Sequence, residues 1–184
     1  MIGDTLLPLN RVLRLGPTRD PFDLASYTVK FEIETEDGTS VLAATATGVT
    51  KHPTQTFTLD STLNWIACNA HGYQVGDVWV PATSGSLSGT GLTAATRYKV
   101  VERDIDWFRV SVKSEGPTVT IAGAGTGTHT SYVVGSVQYD FATTPAGTAR
   151  RMRGWFSVWD GSSEIATWPD DRFGIPIEIE PKGN

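Results

Sequence analysis

The chain is poor in cysteine: Cys68 is the single one among 184 residues. A lone cysteine closes no internal disulfide, so nothing marks the fold as disulfide-stabilised. Long apolar runs are absent too, and none approaches the ~20 residues that a membrane helix needs. The start, Met1-Ile2-Gly3-Asp4, has neither a basic region nor a continuous apolar stretch. No signal peptide is expected, and synthesis and folding in a cytoplasm are. Basic residues are in the minority, 15 Lys+Arg against 20 Asp+Glu, for a net charge of −5. This argues against a nucleic-acid binder, which usually carries a basic stripe. The one basic cluster, Arg150-Arg151-Met152-Arg153, reads as a solvated strand edge or as a patch that docks on an acidic partner. Helical periodicity, heptads and collagen-like repeats are also missing, which removes the usual shafts of long fibres.

What is present reads as β-structure. Tyr27, Val29, Phe31 and Ile33 alternate with Thr28, Lys30, Glu32 and Glu34. Such period-two alternation buries the first set and wets the second. Glu36-Asp37-Gly38-Thr39 is a hairpin turn, since Asp-Gly accepts positive φ, and Ser40 to Val49 returns as a strand. Val137, Tyr139 and Phe141 alternate in the same way near the other end. Gly154 to Trp159 puts Phe156 and Val158 on one face, and Trp155, Ser157 and Trp159 on the other. Asp160-Gly161-Ser162-Ser163 turns into Glu164 to Trp168. The closing strand, Ile175 to Ile179, contains Pro176, which belongs at a sheet edge or with its ladder position outward. In the middle, Val75 to Pro81, Arg97 to Glu102, Trp107 to Val112 and Val119 to Ile121 are expected strands, with Asp104-Ile105-Asp106 as a tight turn. Pro81 to Thr96, rich in Gly, Ser and Thr, is expected to be an exposed loop. Leu6 to Leu15 is an extended start, because Pro8 and a missing cap disfavour a helix.

Catalytic and metal chemistry finds little support. Cys68 and His71 have a Cys-x-x-His spacing, but no second cysteine or tight histidine pair completes four ligands. Cys68 is expected as a buried small side chain, and His71 in a turn before Gly72. His129 is expected to bond to a loop backbone near that turn. Gly85-Ser86-Leu87-Ser88-Gly89 lacks the strand-to-helix context of a nucleophile elbow. Asp160, Glu164, Asp170 and Asp171 suit a glycosidase pair or calcium, but Asp160-Gly161 and Pro169-Asp170-Asp171 read more simply as turn chemistry between strands. Gly123-Ala124-Gly125-Thr126-Gly127 has no following helix or lysine for phosphate. No cofactor and no enzymatic activity are implied. Of the six tryptophans, most are expected in cores or interfaces. Trp155 and Trp159, with Arg150, Arg151 and Arg153, are candidate partner contacts. Trp79 and Trp107 are candidate glycan contacts.

Two resemblances cover most of the chain. Gly3-Asp4-Thr5-Leu6-Leu7-Pro8-Leu9, Asp23 to Phe31, Val137-Gln138-Tyr139-Asp140-Phe141, Ala146-Gly147, Gly154 to Val158, Glu164 to Asp171 and Ile175 to Ile179 follow in an order. That order resembles the amino-terminal domain of tailed-phage upper-baseplate proteins. Between them lie His71-Gly72, Gly76 to Val80, Gly91-Leu92-Thr93-Ala94, Tyr98-Lys99-Val100-Val101, Trp107 to Val112 and Gly125-Thr126-Gly127-Thr128-His129. These resemble a module that recurs in phage tail and fibre proteins. Members of the first family continue past this domain, whereas Pro181-Lys182-Gly183-Asn184 follows the last strand here, as in an isolated docking domain with an added module.

The expectation is therefore an all-β chain. Residues 1–50 and 131–184 form an Ig-like β-sandwich, and residues 51–130 an inserted barrel-like β module. The resemblances imply a non-enzymatic structural protein of a phage virion, assembled in the bacterial host cytoplasm. It would be a tail, baseplate or neck component docking on symmetric neighbours, as a homo-oligomer among other virion proteins, without nucleic acid or membrane. The alternatives are a receptor-binding module recognising host surface glycans, or a capsid-surface decoration protein. A hydrolase of the host envelope is a third reading, for which a clustered carboxylate or histidine site is missing.

Overall fold

A computed structural model describes residues 9–15, 20–141, 151–169 and 175–178. The described chain is all-β. Its strands are β1 (Leu9–Val12), β2 (Arg14–Leu15), β3 (Asp20–Pro21), β4 (Thr28–Thr35), β5 (Ser40–Thr45), β6 (Val49–Lys51), β7 (Gln55–Asp60) and β8 (Trp65–Ala67). They continue as β9 (Val78–Thr83), β10 (Tyr98–Arg103), β11 (Trp107–Ser111), β12 (His129–Val133), β13 (Ser136–Tyr139), β14 (Arg151–Asp160), β15 (Ser163–Trp168) and β16 (Ile175–Glu178).

Contacts divide the chain into two compact units. The first takes its described residues from Met1–Leu13, Asp23–Lys51 and Val137–Asn184, the second from Arg14–Phe22 and His52–Ser136. The sequence expectation cut the chain at 50/51 and 130/131. The contacts cut it after Lys51 and after Ser136, because β12 spans residue 130 and pairs along its length with β9. Arg14–Phe22 joins the second unit, where Arg14 forms an ion pair with the buried Asp77.

The first unit is a sandwich of two sheets. One has the order β15-β14-β4-β5, with β16 also pairing β14; the other has the order β1-β13-β6. On β4, Val29, Phe31 and Ile33 are buried as the alternation requires. They register against Val158, Phe156 and Gly154 of β14. Phe31 joins the two sheets: its ring centroid lies 4.4 Å from Tyr139 and 4.7 Å from Phe156. The β4–β5 turn closes as expected, with Thr35 N–H donating to Thr39 O at 2.9 Å and Gly38 at φ +83°. β16 takes an edge position on β14, with Pro176 opposite Arg153.

The second unit is a closed antiparallel barrel of order β10-β11-β8-β7-β12-β9, shut by Tyr98↔Trp79 pairing. Alternate residues fill it: Phe57 and Leu59, Ile66 and Cys68, Val100, Phe108 and Val110 are all buried. Trp79 is at its centre, with ring centroids 5.2 Å from Phe57 and 5.3 Å from Phe108, both edge-on. Closure leaves no sheet edge to protect.

Two expectations fail here. Pro81 to Thr96 is not simply an exposed loop. β9 runs through Pro81 to Thr83, and Leu87, Thr90 and Leu92 are buried beyond it. Thr90 holds the turn: its hydroxyl donates to Leu87 O at 2.7 Å and accepts from Leu92 N–H at 3.1 Å. Val119 to Ile121 is not a ladder strand either. Val119 N–H donates once to Val110 O at 2.8 Å, and Ile121 is buried.

Candidate functional site

Three groups of residues carry chemistry worth weighing. The first is the buried histidine–cysteine cluster of the barrel. Tyr73 N–H donates to His71 Nδ1 at 2.9 Å, so Nε2 carries the proton and donates to Trp107 O at 3.2 Å. The ring is packed between Tyr73 and Phe108. Burial is the largest influence on His71 and lowers its pKa below the usual histidine range. The Cys68 thiol, donating to Gln55 Oε1 at 3.5 Å, is pushed up to about 11 by burial. These side chains are committed to the protein itself. Among the described residues no three His, Cys, Asp or Glu side chains are grouped to hold a metal ion. His129 does bond to loop backbone, but to Ala124 O at 2.8 Å rather than near the His71 turn. Its other nitrogen meets Thr83 Oγ1 at 2.9 Å. Gly125 abuts that ring, so the closing Gly-Thr-Gly-Thr-His run is a packing motif.

The second group is the outward row of β14. Arg151, Arg153, Trp155, Ser157 and Trp159 alternate with the core residues Met152, Phe156 and Val158, and so share one face. Trp155 and Trp159 are half-buried. Trp159 Nε1 donates to the buried Ser157 Oγ at 2.8 Å, and Lys30 Nζ sits 3.6 Å from the Trp159 ring centroid. Glu32, opposite Trp155, has its carboxyl pKa raised by burial and then by Glu34 and Glu164. Four of the five candidate partner contacts thus fall in one row; Arg150 lies outside the described residues. Of the carboxylates, Asp160 ends β14 and Glu164 lies in β15, both exposed, and Asp170 and Asp171 lie outside the described residues. Ser86 of the Gly85–Gly89 run accepts a backbone hydrogen bond from Ser88 at 3.0 Å, as turn serines do.

The third group lies on the outside of the barrel. Here the two candidate glycan contacts part. Trp79 is 0 % exposed, with its ring among the core aromatics, so no ligand reaches it. The unbroken apolar run Val78-Trp79-Val80-Pro81 signals a strand buried on both faces; Val78 and Val80 are covered by Val134 and Tyr132. Trp107 is half-buried on the outer face and stacks on Trp65, centroids 5.0 Å apart and planes 24° apart. Sequence reading did not single out Trp65 for this surface. The pair is braced by Arg109, which donates to Asn64 O at 3.0 Å, to Leu63 O at 3.1 Å and to Glu102 Oε2 at 2.8 Å.

The fold and these groups define an all-β protein with a sandwich unit and a closed-barrel unit. No protein-family model, curated protein or solved structure matches the chain.

Proposed function

We propose that this chain is a non-enzymatic structural component of a tailed-phage virion, a tail, baseplate or neck protein that docks on symmetric neighbours. The observation that carries the reading is the outer row of β14. Arginine and tryptophan are the residues most enriched at protein interfaces. Here they alternate with core residues on a long central strand, and Trp159 is fixed by Ser157 and Lys30. A preorganised aromatic row loses little entropy when it is covered. The ordered series of baseplate-type and tail-type motifs supplies the setting: a particle built from repeated copies, in which one face meets the same neighbour many times.

The test is cryo-electron microscopy of the particle that encodes the chain. Density on a tail, baseplate or neck ring, with Trp155 and Trp159 against a neighbour, is the expected result. Absence from the particle would sink the proposal. Density on the capsid surface would move the assignment to a decoration protein.

A further inference from the structure

The registers of β7, β8 and β11 place outward side chains in rows. Asp60 pairs with Trp65, and Thr58 pairs with Ala67, which pairs with Trp107. Thr56 lies two residues from Thr58 on β7 and on the same outward side, and Asn69 is in the turn just past the end of β8. Ala67 is small, and a depression of about 410 Å³ opens there, lined by Thr56, Thr58, Ala67, Asn69 and Asp106 over the backs of Phe57 and Cys68. Asp106 Oδ1 accepts from Ala70 N–H at 2.9 Å, which fixes the carboxylate. Among the described residues the Thr56 and Thr58 hydroxyls and the Asn69 amide are engaged in no hydrogen bond. An aromatic ring therefore stands next to a shallow bowl whose rim offers two hydroxyls, an amide and a carboxylate oxygen.

From this geometry we infer that the outer face of the barrel binds a neutral saccharide. A pyranose has an apolar C–H face and a rim of hydroxyls that each donate and accept. Trp107, stacked on Trp65 and paired across the ladder with Ala67 in the bowl's lining, supplies half-exposed apolar surface beside the bowl for the first. Asn69 and Asp106 suit vicinal hydroxyl pairs, since one side chain presents two bonding positions. The charge of the face selects against acidic sugars. On β7, β8, β11 and the Asp104–Asp106 turn, the carboxylates of Asp60, Asp104 and Asp106 outnumber the single guanidinium of Arg109, which is already paired with Glu102. The inference does not depend on where in a particle the chain sits.

The experiment is saturation-transfer-difference NMR on the whole chain. The probes are methyl glucoside, methyl galactoside, methyl mannoside, N-acetylglucosamine and glucuronic acid, each to about 10 mM, where contacts of a few kcal/mol register. Transfer to at least one neutral probe and none to glucuronic acid is expected. Trp107→Ala and Asn69→Ala are each expected to weaken binding about tenfold or more, and Ile165→Ala on the sandwich unit to leave it unchanged. Asn69 is exposed, so its variant carries the test if Trp107→Ala fails to fold. Absence of transfer from every neutral probe, preference for glucuronic acid, or unchanged binding in Asn69→Ala would each overturn the inference.

Discussion

Among the described residues, the buried polar side chains His71, Asp77, Thr90, Ser111, His129 and Ser131 belong to the barrel unit, whereas the sandwich unit buries Ser157. The difference follows from how each unit handles its connections. The barrel must return long irregular segments onto a closed wall, and buried backbone there needs partners. Thr90 ties the segment after β9, His129 ties Ala124, and Asp77 accepts from Gln74 N–H at 2.8 Å as well as from Arg14. The sandwich ties its β4–β5 hairpin with a backbone bond and with exposed side-chain bonds among Thr35, Asp37 and Thr39, and Lys51 Nζ donates to Leu24 O and Tyr27 O. The barrel therefore ties its loops with buried side-chain bonds, whereas the sandwich ties its turn with exposed ones.

Core truncation is the largest effect and tests whether the two units share a core. Phe31→Ala and Trp79→Ala are each expected to cost about 3–5 kcal/mol. Urea denaturation measures the loss, and hydrogen exchange locates it. Protection should fall first in β4, β13 and β14 for Phe31→Ala, and in β7, β9 and β11 for Trp79→Ala. Equal loss of protection in both units from either change would break the comparison.

A matched pair of glycine substitutions sharpens it. Gly38 and Gly125 both have positive φ, +83° and +70°. A Cβ on Gly38 meets nothing within 4 Å, while one on Gly125 stands 2.7 Å from Ser86 O and 2.9 Å from His129 Nε2. Gly38→Ala should cost about 1 kcal/mol from backbone strain. Gly125→Ala should cost about 1–3 kcal/mol more from overpacking. Thermal unfolding of the two variants reads the difference, and equal shifts would mean that the barrel loop yields as easily as the hairpin.

How far this contrast is legible in sequence depends on periodicity. The sandwich strands have one face in water, so Val29, Phe31 and Ile33 announce themselves. β9 is buried on both faces, and its run Val78-Trp79-Val80 hides which side Trp79 takes. Composition misleads for Pro81 to Thr96: polar residues suggested exposure, yet Thr90 is buried because its hydroxyl satisfies the turn from within. Of the saccharide face, Trp107 was legible as an aromatic outside the apolar pattern. Thr56 and Thr58 alternate with Phe57 and Leu59, which does mark them as outward. Their meeting with Asn69 and Asp106 depends on the β7–β8 and β8–β11 registers, which span segments too far apart for local pattern to fix.

Acidification is expected to drive the units in opposite directions. His71 has a folded pKa below its unfolded value near 6.5. Between those two values the unfolded chain holds a proton that the folded chain does not. Barrel stability is therefore full above about pH 6.5 and falls as pH drops through the window, by at most ~1.4 kcal/mol per pH unit. Glu32 has a folded pKa above 4.5, so the sandwich gains stability as pH falls through that window and loses it as pH rises. Urea midpoints of His71→Gln and Glu32→Gln between pH 7.5 and pH 4.5, each followed by hydrogen exchange in its own unit, test the signs. Each variant should flatten one slope and leave the other. A barrel whose stability rises on acidification would contradict a buried, neutral His71.

The smallest effect belongs to the outer row of β14 and bears on what that row is for. Lys30 Nζ lies over the Trp159 ring at 3.6 Å, on a face that is partly open to solvent. A cation–π contact at such a site is worth about 0.5–1 kcal/mol, so Lys30→Met should lower stability by no more than that. Its consequence for assembly should be larger than its consequence for folding. The ammonium sits over the indole face while Ser157 Oγ accepts from Nε1. A row that exists only to finish the sandwich would lose the same fraction of a kcal/mol in every assay. A docking row would show near-normal unfolding of the free chain together with reduced incorporation into particles, because a neighbour must cover the same indole in one orientation. Comparing the unfolding midpoint with the incorporated fraction of Lys30→Met therefore separates the two roles on a single variant.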